Sequence, residues 1–154
     1  MKHIIRLAGL TALAALTACS QAPAPGAVSD AKNIIAEKAP AAVEAKTAGV
    51  LIYADWCGSC KVLDPKVKKV RAMGAVPGLK FITLDYTAKD PQAFYAQADA
   101  AGVGDAVKAH FGEAISTGKL LLIDLDDQKV LNTVTKTFEA ADIAAAFKDA
   151  VAAS

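Results

Sequence analysis

Gly49 to Ala54 (GVLIYA) run without a polar break straight into Asp55-Trp56-Cys57-Gly58-Ser59-Cys60. A short unbroken apolar run ending at a turn is what a strand buried on both faces requires, and such strands lie inside sheets covered by helices. A helix follows at once, because Leu63, Val67 and Val70 fall at i, i+4 and i+7 and form one apolar stripe. Lys61, Lys66, Lys68, Lys69 and Arg71 occupy other positions around the same helix and read as a solvated face rather than a docking patch.

The remaining elements are consistent with that core. Leu79 to Leu84 (LKFITL) and Leu120 to Leu125 (LLLIDL) predict two further strands. Asp126-Asp127-Gln128 turns into Lys129 to Thr135, which alternates like a half-exposed antiparallel strand. Ile143, Phe147, Ala150 and Val151 give the last helix its inner face. Tyr86 to Gly118, about 33 residues, is too long for a bare loop and predicts two helices, near Pro91 to Ala100 and Asp105 to Ala114. Asp30 to Lys46 also has a helical pattern, with Ile34, Ile35 and Val43 apolar and a break at Pro40. The expected architecture is a small α/β domain: a mixed central sheet flanked by helices, with an enlarged helical segment between the second and third core strands.

The N-terminus has a different character. Met1 to Ser20 has a basic start (Lys2, Arg6), an apolar run from Leu7 to Leu16 and small residues ending in Cys19. The run is shorter than the ~20 residues of a membrane-spanning helix, so the pattern is that of an export signal. Leu16-Thr17-Ala18-Cys19 resembles the lipobox of bacterial lipoproteins. The resemblance implies cleavage after residue 18, a lipid anchor on Cys19 and, with Ser20 following, sorting to the outer membrane. Residues 19–29, which include the QAPAPGAVS stretch, suit an extended tether, and the domain is expected over residues 30–154. Loss of Lys2 and Arg6 reduces the 17 basic residues to 15 against 16 acidic ones. Such a balance offers no electrostatic footprint for a nucleic acid.

With Cys19 assigned to lipid, Cys57 and Cys60 remain, spaced C-x-x-C where a strand meets a helix. A first sulfur at a helix start lies near unpaired backbone N–H groups and the positive end of the helix dipole, both of which stabilise a thiolate. Cys57 is therefore expected to be the exposed nucleophile. Cys60, one turn inward and better shielded, is the expected resolving thiol. Trp56, the sole tryptophan, either rims the dithiol or caps the core. A structural zinc would want four ligands, and the mature chain has two Cys and one distant His, His110, which is expected to be an ordinary surface or core residue. A purely structural disulfide is open to an exported protein, although so tight a loop yields little chain-entropy benefit.

Tyr53-Ala54-Asp55-Trp56-Cys57-Gly58-Ser59-Cys60-Lys61 resembles the active-site segment of the thioredoxin superfamily, in a form similar to the thioredoxin-like domain of the transmembrane conductor that passes reductant into the periplasm. The likeness takes in Pro65, where thioredoxins carry a helix-kinking Pro, and Leu84-Asp85 closing the next strand, and with the element order it spans about residues 45–154. It implies a thioredoxin-like fold, a redox-active pair and a substrate-facing loop just before the strand at Leu120. Family members carry a cis-Pro in that loop. The six prolines here are at 23, 25, 40, 65, 77 and 91, so Thr117 and Gly118 occupy the substrate-binding place instead. The acidic residue that thioredoxins bury before the motif is matched by Leu51, and its Lys partner by Phe81, so Cys60 must lose its proton by another route, through water or Asp55.

The resulting expectation is a lipid-anchored thiol:disulfide oxidoreductase on the periplasmic side of a bacterial membrane. It reduces protein disulfides with electrons from a membrane donor of the reductant-conductor type and needs no further cofactor. A module holding Cu(I) between two soft thiolates is the alternative from a different class. A binding domain that keeps its disulfide for structure is the third.

Overall fold

The computed structural model describes residues 44–74 and 76–154. The expected signal peptide, Cys19, the tether and most of the Asp30–Lys46 helix lie outside the described residues. The element order is β1 (Thr47–Tyr53), α1 (Gly58–Ala72), β2 (Leu79–Asp85), α2 (Pro91–Ala100), α3 (Gly104–Phe111), β3 (Lys119–Asp124), β4 (Lys129–Thr135) and α4 (Ala140–Ala152).

The four strands form one sheet in the order β2-β1-β3-β4. β1 pairs parallel to β2 through the α1 crossover and antiparallel to β3, and β3 pairs antiparallel to β4. The unbroken apolar run thus lies between two partners, buried along nearly its whole length. Because successive side chains of a strand point to opposite faces, β1 and β3 supply both halves of the core. Val50, Ile52, Leu121 and Ile123 pack under α2 and α3 with Phe94 and Val107. Leu51, Leu120 and Leu122 pack under α1 and α4 with Leu63, Val67 and Ile143. β4, at the edge, is only partly covered, as its alternation predicts.

Helix ends follow local chemistry. Asp90 caps α2 by accepting from the backbone N–H groups of Gln92 and Ala93, and Pro91 fills the first turn. α4 opens on a reciprocal cap in which Glu139 and Asp142 bond each other's backbone. One expectation is corrected here. Val151 is only half-buried, and Ala146 takes its place on the inner face beside Ile143, Phe147 and Ala150, because the i, i+3, i+4, i+7 stripe runs through 143, 146, 147 and 150. α3 also stops at Phe111, three residues short of Ala114, because Gly112 adopts φ 52° and turns the chain out of the helix.

Candidate redox site at the start of the first helix

Cys57 is the N-cap residue of α1. Its backbone is extended, and its Sγ accepts the N–H of Cys60 at 3.0 Å. A sulfur in this position takes the place that a Ser or Asp oxygen fills in other helices, and negative charge on it is favoured by the exposed amides of the first turn. The first turn of α1 contains no acidic residue to oppose that charge. The Cys57 and Cys60 sulfurs are joined as a disulfide, with Cα atoms 5.3 Å apart.

The two cysteines differ in surroundings. Cys60 is 0% exposed, and its Sγ lies 3.6 Å from the carbonyl oxygen of Ile52, an acceptor for the thiol proton of the reduced form. Cys57 is 6% exposed, so the expectation of an openly exposed nucleophile is corrected: it is the more accessible of the pair, but only a narrow part of it meets solvent. The cover comes from the loop before β3. Gly118 is buried at φ 78°, and its N–H donates to the same Ile52 carbonyl at 2.9 Å. A Cβ on Gly118 would fall 3.2 Å from Cys57 Sγ and 2.5 Å from Ser59 Cβ, so glycine is required both by the space and by the backbone. The structure therefore places Gly118 against the sulfur, with half-buried Thr117 next to it.

Trp56 is 48% exposed, so it lies at the surface next to Cys57 in the chain rather than capping the core. Its Nε1 donates to the Thr87 carbonyl at 3.0 Å, its ring meets the Tyr86 ring edge-on at 6.5 Å, and the Lys89 ammonium lies over it at 4.9 Å. The Asp55 N–H donates to Thr87 Oγ1 at 3.1 Å. These partners in the β2–α2 loop are the site residues that the sequence reading does not single out. An Asp-x-Thr turn at 85–87 is legible locally, but its pairing with a tryptophan 31 residues earlier is not.

Asp55 is exposed and no hydrogen bond joins it to Cys60 among the described residues. The neighbouring Asp55 carboxylate, with burial second, raises the Tyr53 hydroxyl above the ordinary phenol pKa. Leu51 is buried in the α1/α4 core, and the Phe81 ring meets Phe147 edge-on and lies under the Arg71 guanidinium. His110 lies on α3 with its pKa lowered by burial and by Lys119. No cluster of three or more His, Cys, Asp or Glu side chains occurs among the described residues.

Residues 33–100 match the thioredoxin family, a stretch that contains β1, α1, β2, α2 and both cysteines. No curated protein matches the sequence. Among solved structures, Trxlp from Edwardsiella tarda EIB202 is 15% identical with a TM-score of 0.44, covering 69% of this chain and 85% of that one. StoA from Bacillus subtilis is 13% identical with a TM-score of 0.46, covering 66% and 82%. The family match, the mixed four-stranded sheet between helices and the cysteine pair opening α1 together make the fold thioredoxin-like.

Proposed function

We propose that this thioredoxin-like domain is a thiol:disulfide oxidoreductase that reduces protein disulfides on the periplasmic side of a bacterial membrane, held there by lipid on Cys19. The observation that carries the chemistry is the asymmetry of the pair: Cys57 Sγ caps α1 and accepts the Cys60 N–H, while Cys60 is sealed behind it.

In the reduced enzyme the Cys57 thiolate attacks one sulfur of a substrate disulfide, forming a mixed disulfide and releasing the other sulfur as a thiolate. Cys60 then gives up its proton and attacks Cys57 Sγ. That step breaks the mixed disulfide, frees the second substrate thiol and leaves the Cys57–Cys60 disulfide. Two electrons pass to the substrate, and a dithiol donor returns them by the reverse exchange. Support for the reducing direction comes from the compartment that the export signal implies, which is kept oxidising and so gives a reductase a task. The lipobox-like Leu16-Thr17-Ala18-Cys19 supports the anchor, and the active-site segment's likeness to the reductant conductor supports a membrane donor.

Among the described residues, Cu(I) held by the same thiolates would find no cluster that supplies a third ligand. The nearest methionine in sequence, Met73, is the residue beyond the far end of α1.

Equilibration of the protein in dithiol/disulfide buffers, followed by Trp56 emission and thiol alkylation, tests the reading. A potential near the ~−270 mV of thioredoxin supports a reductase, whereas one near ~−120 mV makes the protein an oxidant and reverses the proposed electron flow.

A further inference from the structure

Thr87 lies 30 residues from Cys57 in sequence, yet it uses all its hydrogen-bonding groups at the approach to that cysteine. Its N–H and its hydroxyl both donate to Asp85 Oδ1, at 2.8 and 2.5 Å. Its Oγ1 accepts from the Asp55 N–H at 3.1 Å, and its carbonyl accepts from Trp56 Nε1 at 3.0 Å. The two residues that precede Cys57 are therefore both tied to this one side chain and backbone unit.

The loop that carries Thr87 is itself fixed. The Tyr86 N–H donates to the Tyr53 carbonyl at 2.8 Å, extending the β1–β2 pairing by one residue. From α2, the Gln97 amide accepts the Asp85 N–H and donates to the Asp85 carbonyl, both at 3.0 Å. Lys89 adopts φ 56°, a conformation costly for a residue with a Cβ, and from there its ammonium reaches the Trp56 ring. A half-exposed indole with solvent on one side would otherwise sample several rotamers, and each would present a different wall to an incoming disulfide.

On the oxidoreductase reading above, we propose that Thr87 is a positioning residue of the dithiol site: its hydroxyl, oriented by Asp85, latches the Asp55–Trp56 turn, so that its carbonyl holds the Trp56 indole in the one orientation that receives the substrate. Thr87 does not touch the reacting sulfurs and acts through Trp56.

Trp56 is the only tryptophan, so its emission reports the latch independently of turnover. The experiment uses the full chain as wild type, Thr87→Val, which keeps the branched shape without the hydroxyl, and Thr87→Ser, which restores the hydroxyl. Reduced protein is mixed with a cystine-bridged peptide to obtain the second-order rate constant, and Trp56 quenching by acrylamide is measured separately. Thr87→Val is expected to react about five- to tenfold more slowly, the scale of one lost hydrogen bond in an ordered site. Its indole is expected to be quenched more readily, and Thr87→Ser to recover both properties. In a Trp56→Phe background, Thr87→Val should change the rate by less than about twofold, since coupled residues are not additive.

Wild-type rate and quenching in Thr87→Val would overturn the latch, as would a loss shared equally by Thr87→Ser, or the same fold-loss in the Trp56→Phe background. If the wild type itself does not react with the peptide, the oxidoreductase reading fails, and quenching alone then decides whether Thr87 orients the indole. Should Thr87→Val not fold, Asp85→Ala, which removes the acceptor of the same hydroxyl, takes its place with the same expected results.

Discussion

The two faces of the sheet reach the dithiol in different ways. Under α1 and α4 the core is mainly aliphatic, with Leu63, Val67, Val70 and Ile143 packed on Leu51, Leu120 and Leu122, and it supports the helix that carries the sulfurs. Under α2 and α3 the buried residues are mostly aliphatic too, but a run of linked rings crosses them. Phe111 meets Phe94, Phe94 meets Tyr86 and Tyr86 meets Trp56, all edge-on, so the rings form a continuous path from the core to the rim of the site. One face therefore fixes where the sulfurs are, and the other fixes what surrounds them. A site built this way can lose its rim without losing its cysteines.

Truncations on the two faces should separate these roles. Phe94→Ala removes a fully buried ring and is expected to cost ~3–5 kcal/mol in denaturant unfolding. It should also shift Trp56 emission through Tyr86. Leu63→Ala, equally buried, is expected to cost ~2–5 kcal/mol and leave the emission of the folded protein unchanged. If the two variants shift the emission equally, the division between the faces is wrong.

Gly118 lies where the faces meet, and Gly118→Ala should cost ~1–3 kcal/mol by crowding and by backbone strain at φ 78°. Because the displaced loop would uncover Cys57, the reduced variant should be alkylated faster than wild type; a slower reaction would show that the loop does not cover the sulfur. Asp90→Ala, which uncaps α2, should lower stability by about 1 kcal/mol. The reduced dithiol's reaction with alkylating agents should be unaffected.

The smallest effect concerns His110 on α3. Its folded-state pKa lies below the unfolded value, so the unfolded chain binds the proton more readily. The stability this contributes is complete above about pH 6.5 and is lost as the pH falls through the folded-state pKa. His110→Gln should flatten the stability profile over that interval, and an unchanged profile would mean that the imidazole is equally solvated in both states.

What the sequence makes legible and what it does not differ in physical kind. Periodicities of 2 and 3.6 are short-range, so GVLIYA, the Leu63/Val67/Val70 stripe and the β4 alternation place their elements to within one or two residues. The motif places Cys57 at the cap of α1 for the same reason, since capping is local. The cover over Cys57 is not local. It depends on Gly118 returning from across α2 and α3 to bond the Ile52 carbonyl, and only the resemblance to a known loop pointed there. The Thr87 contacts have no comparable pointer, because a lone threonine in a loop has no periodicity to mark it. Val151 is half-buried while Ala146 fills an inner position of α4, a place that an alanine-rich helix hides because Ala146 adds no hydrophobic contrast to mark it.

The central claim is that Cys57 attacks and Cys60 resolves. Its most direct test is to incubate reduced Cys60→Ala and reduced Cys57→Ala with a cystine-bridged peptide and identify the adducts by mass. The account predicts that Cys60→Ala accumulates a stable mixed disulfide on Cys57, while Cys57→Ala, left with a sulfur that is fully buried in the native protein, forms one far more slowly. Equal trapping at both cysteines, or trapping only at Cys60, would contradict it.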